Sequence, residues 1–143
     1  KSGVDMESDF EGRKFKDVVM TPTKLYVKSI LALLEALPVK GMAHITGGGI
    51  TENIPRVLPV GLTAEISSNS WELPPLFQWL KAQGNITDLE MYKTFNCGVG
   101  MVIIMSADNA AEAMKVLAAK GETVYQIGQI RTQGDGEAPT VVV

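Results

Sequence analysis

The chain has 143 residues, 45% of them hydrophobic and 20% charged, and a net charge of −3. That is the size and balance of one globular domain with a real core. The acidic balance excludes a general binder of the phosphate backbone, which needs a basic face. It leaves open the capture of a small anion by a few backbone amides. The single cysteine, Cys97, excludes an intramolecular disulfide and makes a reducing cytosol the expected compartment. The longest apolar run, Gly100 to Met105, is too short to span a bilayer.

Residues 1–16 are polar, with Gly3 and Gly12 among charged side chains, and read as a linker or mobile arm. Their start, Lys1-Ser2-Gly3-Val4-Asp5, reads as a cut inside a longer polypeptide. Residues 17–143 then form the domain. Val27, Ile30, Leu31 and Leu34 recur at helical spacing and predict a helix over Leu25 to Leu37, with Pro38 as its stop. Met42 to Thr46 reads as a short strand, followed by Gly47-Gly48-Gly49 and a short helix over Thr51 to Leu58 that must take Pro55 near its first turn. Leu62 to Ile66 alternates like a half-buried strand. Pro74 to Ala82 is a helix closed by Gly84, and Thr87 caps another that ends near Lys93. Met101 to Met105 is a strand, Ser106 or Asp108 opens a helix ending at Gly121, and Thr123 to Ile130 is a strand with Gly128 as a possible bulge. Gly134-Asp135-Gly136 is a turn before a last strand, Thr140 to Val143, and favours a terminal antiparallel hairpin. A mixed sheet covered by helices follows, an α+β arrangement.

The strongest chemical signal is Thr46-Gly47-Gly48-Gly49 between a strand and a helix. Glycines let a ligand approach the backbone, and amides at a helix start attract an anion. The spacing matches neither the P-loop nor the dinucleotide fingerprint, and a plain turn needing positive φ would use the same residues. His44 is the only histidine and stands just before that turn. It reads either as a structural residue or as a donor or proton carrier to a bound phosphate. Alone, it cannot form a multi-histidine metal site, and no Cys/His cluster exists for zinc. Glu52 and Arg56, four apart, fit a surface ion pair, and equally Asn53 or Arg56 fits a contact to a bound ligand. Asn96-Cys97-Gly98-Val99-Gly100 is a second glycine-rich loop. No base adjoins Cys97 in sequence, so a buried inert thiol is the simpler reading.

Ordered matches spread over Lys24 to Gly100 add a resemblance. Tyr26-Val27-Lys28-Ser29, Ala43-His44-Ile45-Thr46-Gly47-Gly48-Gly49, Glu52-Asn53-Ile54-Pro55-Arg56-Val57-Leu58-Pro59 and Met91-Tyr92-Lys93-Thr94-Phe95-Asn96-Cys97-Gly98-Val99-Gly100-Met101 closely resemble the C-terminal domain of the phosphoribosylformylglycinamidine cyclo-ligase (AIR synthetase) family. The resemblance implies an α/β/α-layered unit with partial likeness to a ferredoxin-like fold. It implies a ligase of purine biosynthesis that uses ATP to activate the formyl oxygen of formylglycinamidine ribonucleotide. An amidine nitrogen then closes the imidazole ring, giving aminoimidazole ribonucleotide, ADP and phosphate. It further implies a cytoplasmic homodimer whose N-terminal domain, outside this chain, binds most of the ATP and Mg2+, so that no cofactor and no metal ligand is expected here. On that resemblance Thr46, Gly47, Gly48 and Gly49 form the phosphate cradle, and His44 and Asn53 line the cleft, His44 as the catalytic candidate. Asn96 and Cys97 shape its wall. The partners would be the substrate and the N-terminal domain, with no nucleic acid and no membrane. Outside catalysis, a small-ligand-binding module and an assembly module remain as alternatives.

Overall fold

A computed structural model describes residues 4–143. Residues 1–3 of the expected arm lie outside the described residues. Within residues 4–16 the chain makes a small hairpin, β1 (Asp9–Phe10) with β2 (Arg13–Lys14). Its turn uses Glu11 and Gly12, both at positive φ, as a two-residue hairpin requires. A helical turn, α1 (Phe15–Val19), follows directly. Phe15 is buried, and the rings of Phe10 and Phe15 lie 6.3 and 4.9 Å from that of Trp79. Two phenylalanines spaced among charges give no periodic signal, so this packing is invisible to a composition-based reading of an arm.

Helix α2 (Val27–Ala36) starts two residues later than the periodicity suggests and ends where Pro38 forces Leu37 into an extended backbone. Strand β3 (Gly41–His44) pairs antiparallel with β5 (Met101–Ile104), with His44 opposite Met101. Between them come α3 (Gly49–Asn53), a 3-10 turn (Ile54–Val57) that takes Pro55 in its first positions, β4 (Leu62–Ile66), α4 (Pro75–Gly84) and α5 (Asp88–Thr94). Thr87 caps α5 by accepting the Glu90 amide. Helix α6 (Ala107–Ala119), β6 (Gly128–Thr132) and β7 (Thr140–Val142) complete the chain. Helices with small sheets, one of them mixed, make this an α+β fold.

The expected terminal hairpin is not formed. Strand β4 is the centre of a three-stranded sheet, with β6 antiparallel on one side and β7 parallel on the other. The turn after β6 is instead clamped by Arg131, which bonds Glu137 through both Nη atoms at 2.8 and 2.6 Å and Glu65 through Nε at 2.8 Å. Thr63 Oγ1 and the Ala64 amide then take the Ala138 and Pro139 carbonyls, drawing the chain to the far side of β4. Gly128 is no bulge. It pairs directly with Ile66, and a Cβ there would lie 2.0 Å from the Glu65 carbonyl oxygen.

Two cores result. The larger joins Ala43, Ile45, Ile50, Ile54, Ile66 and Trp71 on one face of β3–β5. The smaller joins Leu33, Ala113 and Leu117, where α2 meets α6 beside Ile103. The α2 stripe is not turned inward as its periodicity suggests. Val27, Leu31 and Leu34 are 62%, 54% and 44% exposed, while Ser29 and Leu33 are buried. Ser29 faces inward because its hydroxyl donates to Glu122, 2.6 Å away, and Glu122 is held by Lys24 at 2.5 Å.

Candidate functional site

Strand alternation sets the site. Ala43 and Ile45 point into the core, which turns Met42, His44 and Thr46 to the exposed face. The Gly49 amide donates to the Thr46 carbonyl at 3.0 Å and closes a turn that leads straight into α3. The three glycines do different work. Gly48 has φ 94° and Gly49 φ 57°, where a side chain is strained. At Gly49 a Cβ would also lie 2.2 Å from the Tyr92 carbonyl oxygen and 2.8 Å from that of Phe95, so α3 approaches the end of α5 backbone to backbone. At Gly47 a Cβ would meet nothing within 4 Å and φ is ordinary, so nothing in this chain's packing demands a glycine there.

Asn53 fixes the turn from inside. It is 4% exposed, and its Nδ2 donates to the carbonyls of Gly49 (2.8 Å), Gly47 (3.2 Å) and Thr46 (3.4 Å). Those bonds aim the carbonyls inward. Among the described residues the amides of Gly47 and Gly48 donate to no protein group. Gly47 is exposed and Gly48 half-buried, while Gly49 and Ile50 are buried. The donors left open at the turn thus include the Gly47 and Gly48 amides and the Thr46 hydroxyl. The Glu52 carboxylate stands over the turn, its Oε2 2.8 Å from the position of a Cβ on Gly48. Glu52 and Arg56 form no ion pair among the described residues, because the helix tightens into its 3-10 turn at Ile54 and the i,i+4 spacing is lost.

The second glycine-rich loop lies beside the first. The Ile45 amide donates to the Gly100 carbonyl at 2.9 Å, continuing the β3–β5 ladder toward both loops. Asn96 Oδ1 accepts the Gly98 amide at 3.0 Å, and Cys97 takes φ 51° in the turn this makes. Trp71 Nε1 caps the Cys97 carbonyl at 2.9 Å, and the thiol donates to the Met91 carbonyl at 3.4 Å. The observed polar contacts of Asn96 and Cys97 thus hold the loop itself. Burial pushes the Cys97 thiol up from 9.0 to about 11. At neutral pH it is a thiol, not a nucleophilic thiolate. We expect no modification by a thiol reagent in the native chain at pH 7.5 and stoichiometric modification after unfolding. Because folding favours the neutral form, any stability linked to it holds below pH 9 and is lost as pH rises toward 11, which denaturant titrations across that range check.

Sequence reasoning missed Tyr26 and Gly100. The Tyr26 ring meets that of His44 edge to face, with centroids 6.1 Å apart, and Lys24 Nζ lies 5.9 Å from the Tyr26 centroid. The signal in the sequence was Gly100 itself, where a Cβ would lie 2.0 Å from the Tyr26 hydroxyl. A groove of about 960 Å3 runs between the two sheets, lined mainly by aliphatic residues such as Ile54, Val57, Ile104 and Ile130. It reaches Tyr26 and Val99, but the glycine turn is not part of its wall. Among the described residues there is no cluster of three or more His, Cys, Asp or Glu able to hold a metal, and no helix is long and apolar enough to cross a membrane.

Fold and site together define an α+β domain that presents an outward histidine and a glycine turn, braced by a buried asparagine, at the end of a sheet. Residues 2–140 match the family described as AIR synthase related protein, C-terminal domain, and the chain belongs to that family. It is similar to proteins named phosphoribosylformylglycinamidine cyclo-ligase. That of Methylobacillus flagellatus is 70% identical over 142 residues, 99% of this chain and 41% of that protein. The Cupriavidus pinatubonensis protein is 55% identical over 97% of this chain and 40% of its own length. The Burkholderia ambifaria protein is 55% identical over 100% of this chain and 41% of its own length. The chain thus spans about two fifths of the length of these curated relatives.

Proposed function

We propose that this chain is the C-terminal part of an ATP-dependent cyclo-ligase that closes the imidazole ring of aminoimidazole ribonucleotide, and that its glycine turn holds the ribose phosphate of formylglycinamidine ribonucleotide. One observation carries the turn's role: Gly47 stands in open space beside unpartnered amides where this chain's packing requires no glycine. Close approach of a ligand to the backbone supplies a reason for it. Thr46 adds a hydroxyl donor, Asn53 fixes the carbonyls away from the anion, and His44, outward on the same face, donates to the bound substrate or moves its proton. Asn96 and Cys97 support the neighbouring wall. ATP, with its Mg2+, is the activating group in the longer protein. It falls to the N-terminal domain. That domain closes the cleft, and the exposed α2 face of Val27, Leu31 and Leu34 is where we place its contact. The longer protein acts as a cytoplasmic homodimer.

Gly47→Ala in the full-length protein tests the turn. Its fold cost is under about 0.5 kcal/mol, since no contact or dihedral opposes the methyl. The expected result is a KM for formylglycinamidine ribonucleotide raised about tenfold, roughly 1.4 kcal/mol, at unchanged Tm. Unchanged KM sinks the cradle. Glu52→Gln removes the carboxylate over the turn and is expected to lower the same KM about threefold. This chain alone should give no ring closure in a single-turnover assay with ATP.

A further inference from the structure

We propose that Tyr26 is a positioning residue for the site: its ring, seated in the gap left by Gly100, holds the His44 imidazole at the head of the glycine turn. The proposal rests on His44 acting in the site. His44 is the last residue of β3 and is exposed, so its own strand leaves the imidazole several rotamers over open surface. What stands against it is the ring of Tyr26, in an edge-to-face pair with 6.1 Å between centroids and planes at 69°. An edge-to-face pair of this kind favours one ring orientation.

Tyr26 is itself held from three sides. It occupies the N-cap of α2, so the helix fixes its backbone. Its hydroxyl lies flush on the backbone at Gly100, where a Cβ would be 2.0 Å from the oxygen and 3.0 Å from Cζ. Lys24 Nζ sits 5.9 Å from its centroid and is anchored by Glu122, 2.5 Å away, which also accepts the Ser29 hydroxyl at 2.6 Å. Burial raises the Tyr26 hydroxyl above its ordinary range, against the pull of Lys24 and with the help of Glu122, so the ring stays neutral. Gly100 has no positive φ, so its lack of a side chain serves this contact and no dihedral need.

The test uses kinetics of the full-length protein together with the imidazole proton signals of this chain, in which His44 is the only histidine. Tyr26→Phe keeps the ring and is expected to retain kcat within about twofold. Tyr26→Leu removes the edge contact and should lower kcat about tenfold with KM little changed, and should move the His44 ring-proton shifts that Tyr26→Phe preserves. Gly100→Ala should reproduce the loss by displacing the hydroxyl. The double variant Gly100→Ala/Tyr26→Phe, which loses the 2.0 Å clash with the hydroxyl and keeps only the 3.0 Å contact at Cζ, should recover part of it. That rescue also serves if Tyr26→Leu fails to fold. Normal kcat in Tyr26→Leu while His44→Asn is impaired overturns the proposal, as does a double variant no better than Gly100→Ala alone. Unchanged kinetics in His44→Asn would remove the reading of His44 itself, and this proposal with it.

Discussion

Gly49→Ala is expected to lower the stability of the chain by about 3 kcal/mol, the largest effect of any substitution in the glycine turn. Two costs add. A left-handed backbone at φ 57° costs a side chain roughly 1–2 kcal/mol. The methyl would also arrive 2.2 Å from the Tyr92 carbonyl oxygen and 2.8 Å from the Lys93 carbonyl carbon, which are backbone atoms that no rotamer change can move aside. Overpacking of this kind costs roughly 1–3 kcal/mol. For a domain of this size the sum shifts Tm by roughly 10 °C in a thermal melt. Gly48→Ala should cost only about 1 kcal/mol. Its φ of 94° is unfavourable, but the nearest obstacle is the flexible end of Glu52. The order Gly49, then Gly48, then Gly47 is the signature of this turn, and a reversed order of melting temperatures would contradict its geometry.

Asn53→Asp should be nearly as damaging, at roughly 3 kcal/mol near neutral pH. Asn53 Nδ2 is the donor to three carbonyl oxygens, and a carboxylate offers no donor, leaving its buried charge facing acceptors alone. The variant carboxyl should titrate above the ordinary carboxylate range, because burial and the carbonyl dipoles both oppose its charge. A raised folded-state pKa means that the folded form binds the proton more tightly. Stability is then regained as pH falls through that raised value toward the unfolded value near 4. Urea unfolding of the variant at pH 7.5 and pH 5 checks the sign: the difference from the parent chain must narrow at the lower pH. A gap that stays constant would mean that the amide's role is only to fill space.

The same residues show how far a sequence carries. Turn chemistry was readable because it is local. Glycine after a strand, Pro38 after a helix and Thr87 before one each act within a few residues, and the strand at Leu62 declares itself by alternation and that at Met101 as a short apolar run. The ordered run of residues from Tyr26 to Gly100 was enough to point to the family that the comparison then showed. What was not readable depended on contacts far apart in the chain. Helix α2 looks amphipathic with its stripe inward, yet Ser29 rather than Leu31 is buried because Glu122, 93 residues away, supplies its partner. The last strand looks like half of a hairpin, yet Arg131 and Glu137 carry the chain across β4.

At the site the division is sharper. The residues Thr46, Gly47, Gly48, Gly49 and His44 were visible as a polar, side-chain-poor segment at a strand end, and that much follows from composition and order alone. Which glycine the fold consumes and which it leaves free required the tertiary structure, since the left-handed backbone and the approach of α5 together tell Gly49 from Gly47. The inward face of Asn53 and the Tyr26–His44 pair likewise arise from separate elements meeting around β3 and β5. Sequence determined the backbone freedom and the chemical types present. Packing determined which amides and rings remain exposed, because exposure belongs to the neighbours of a residue and those neighbours are brought by the fold.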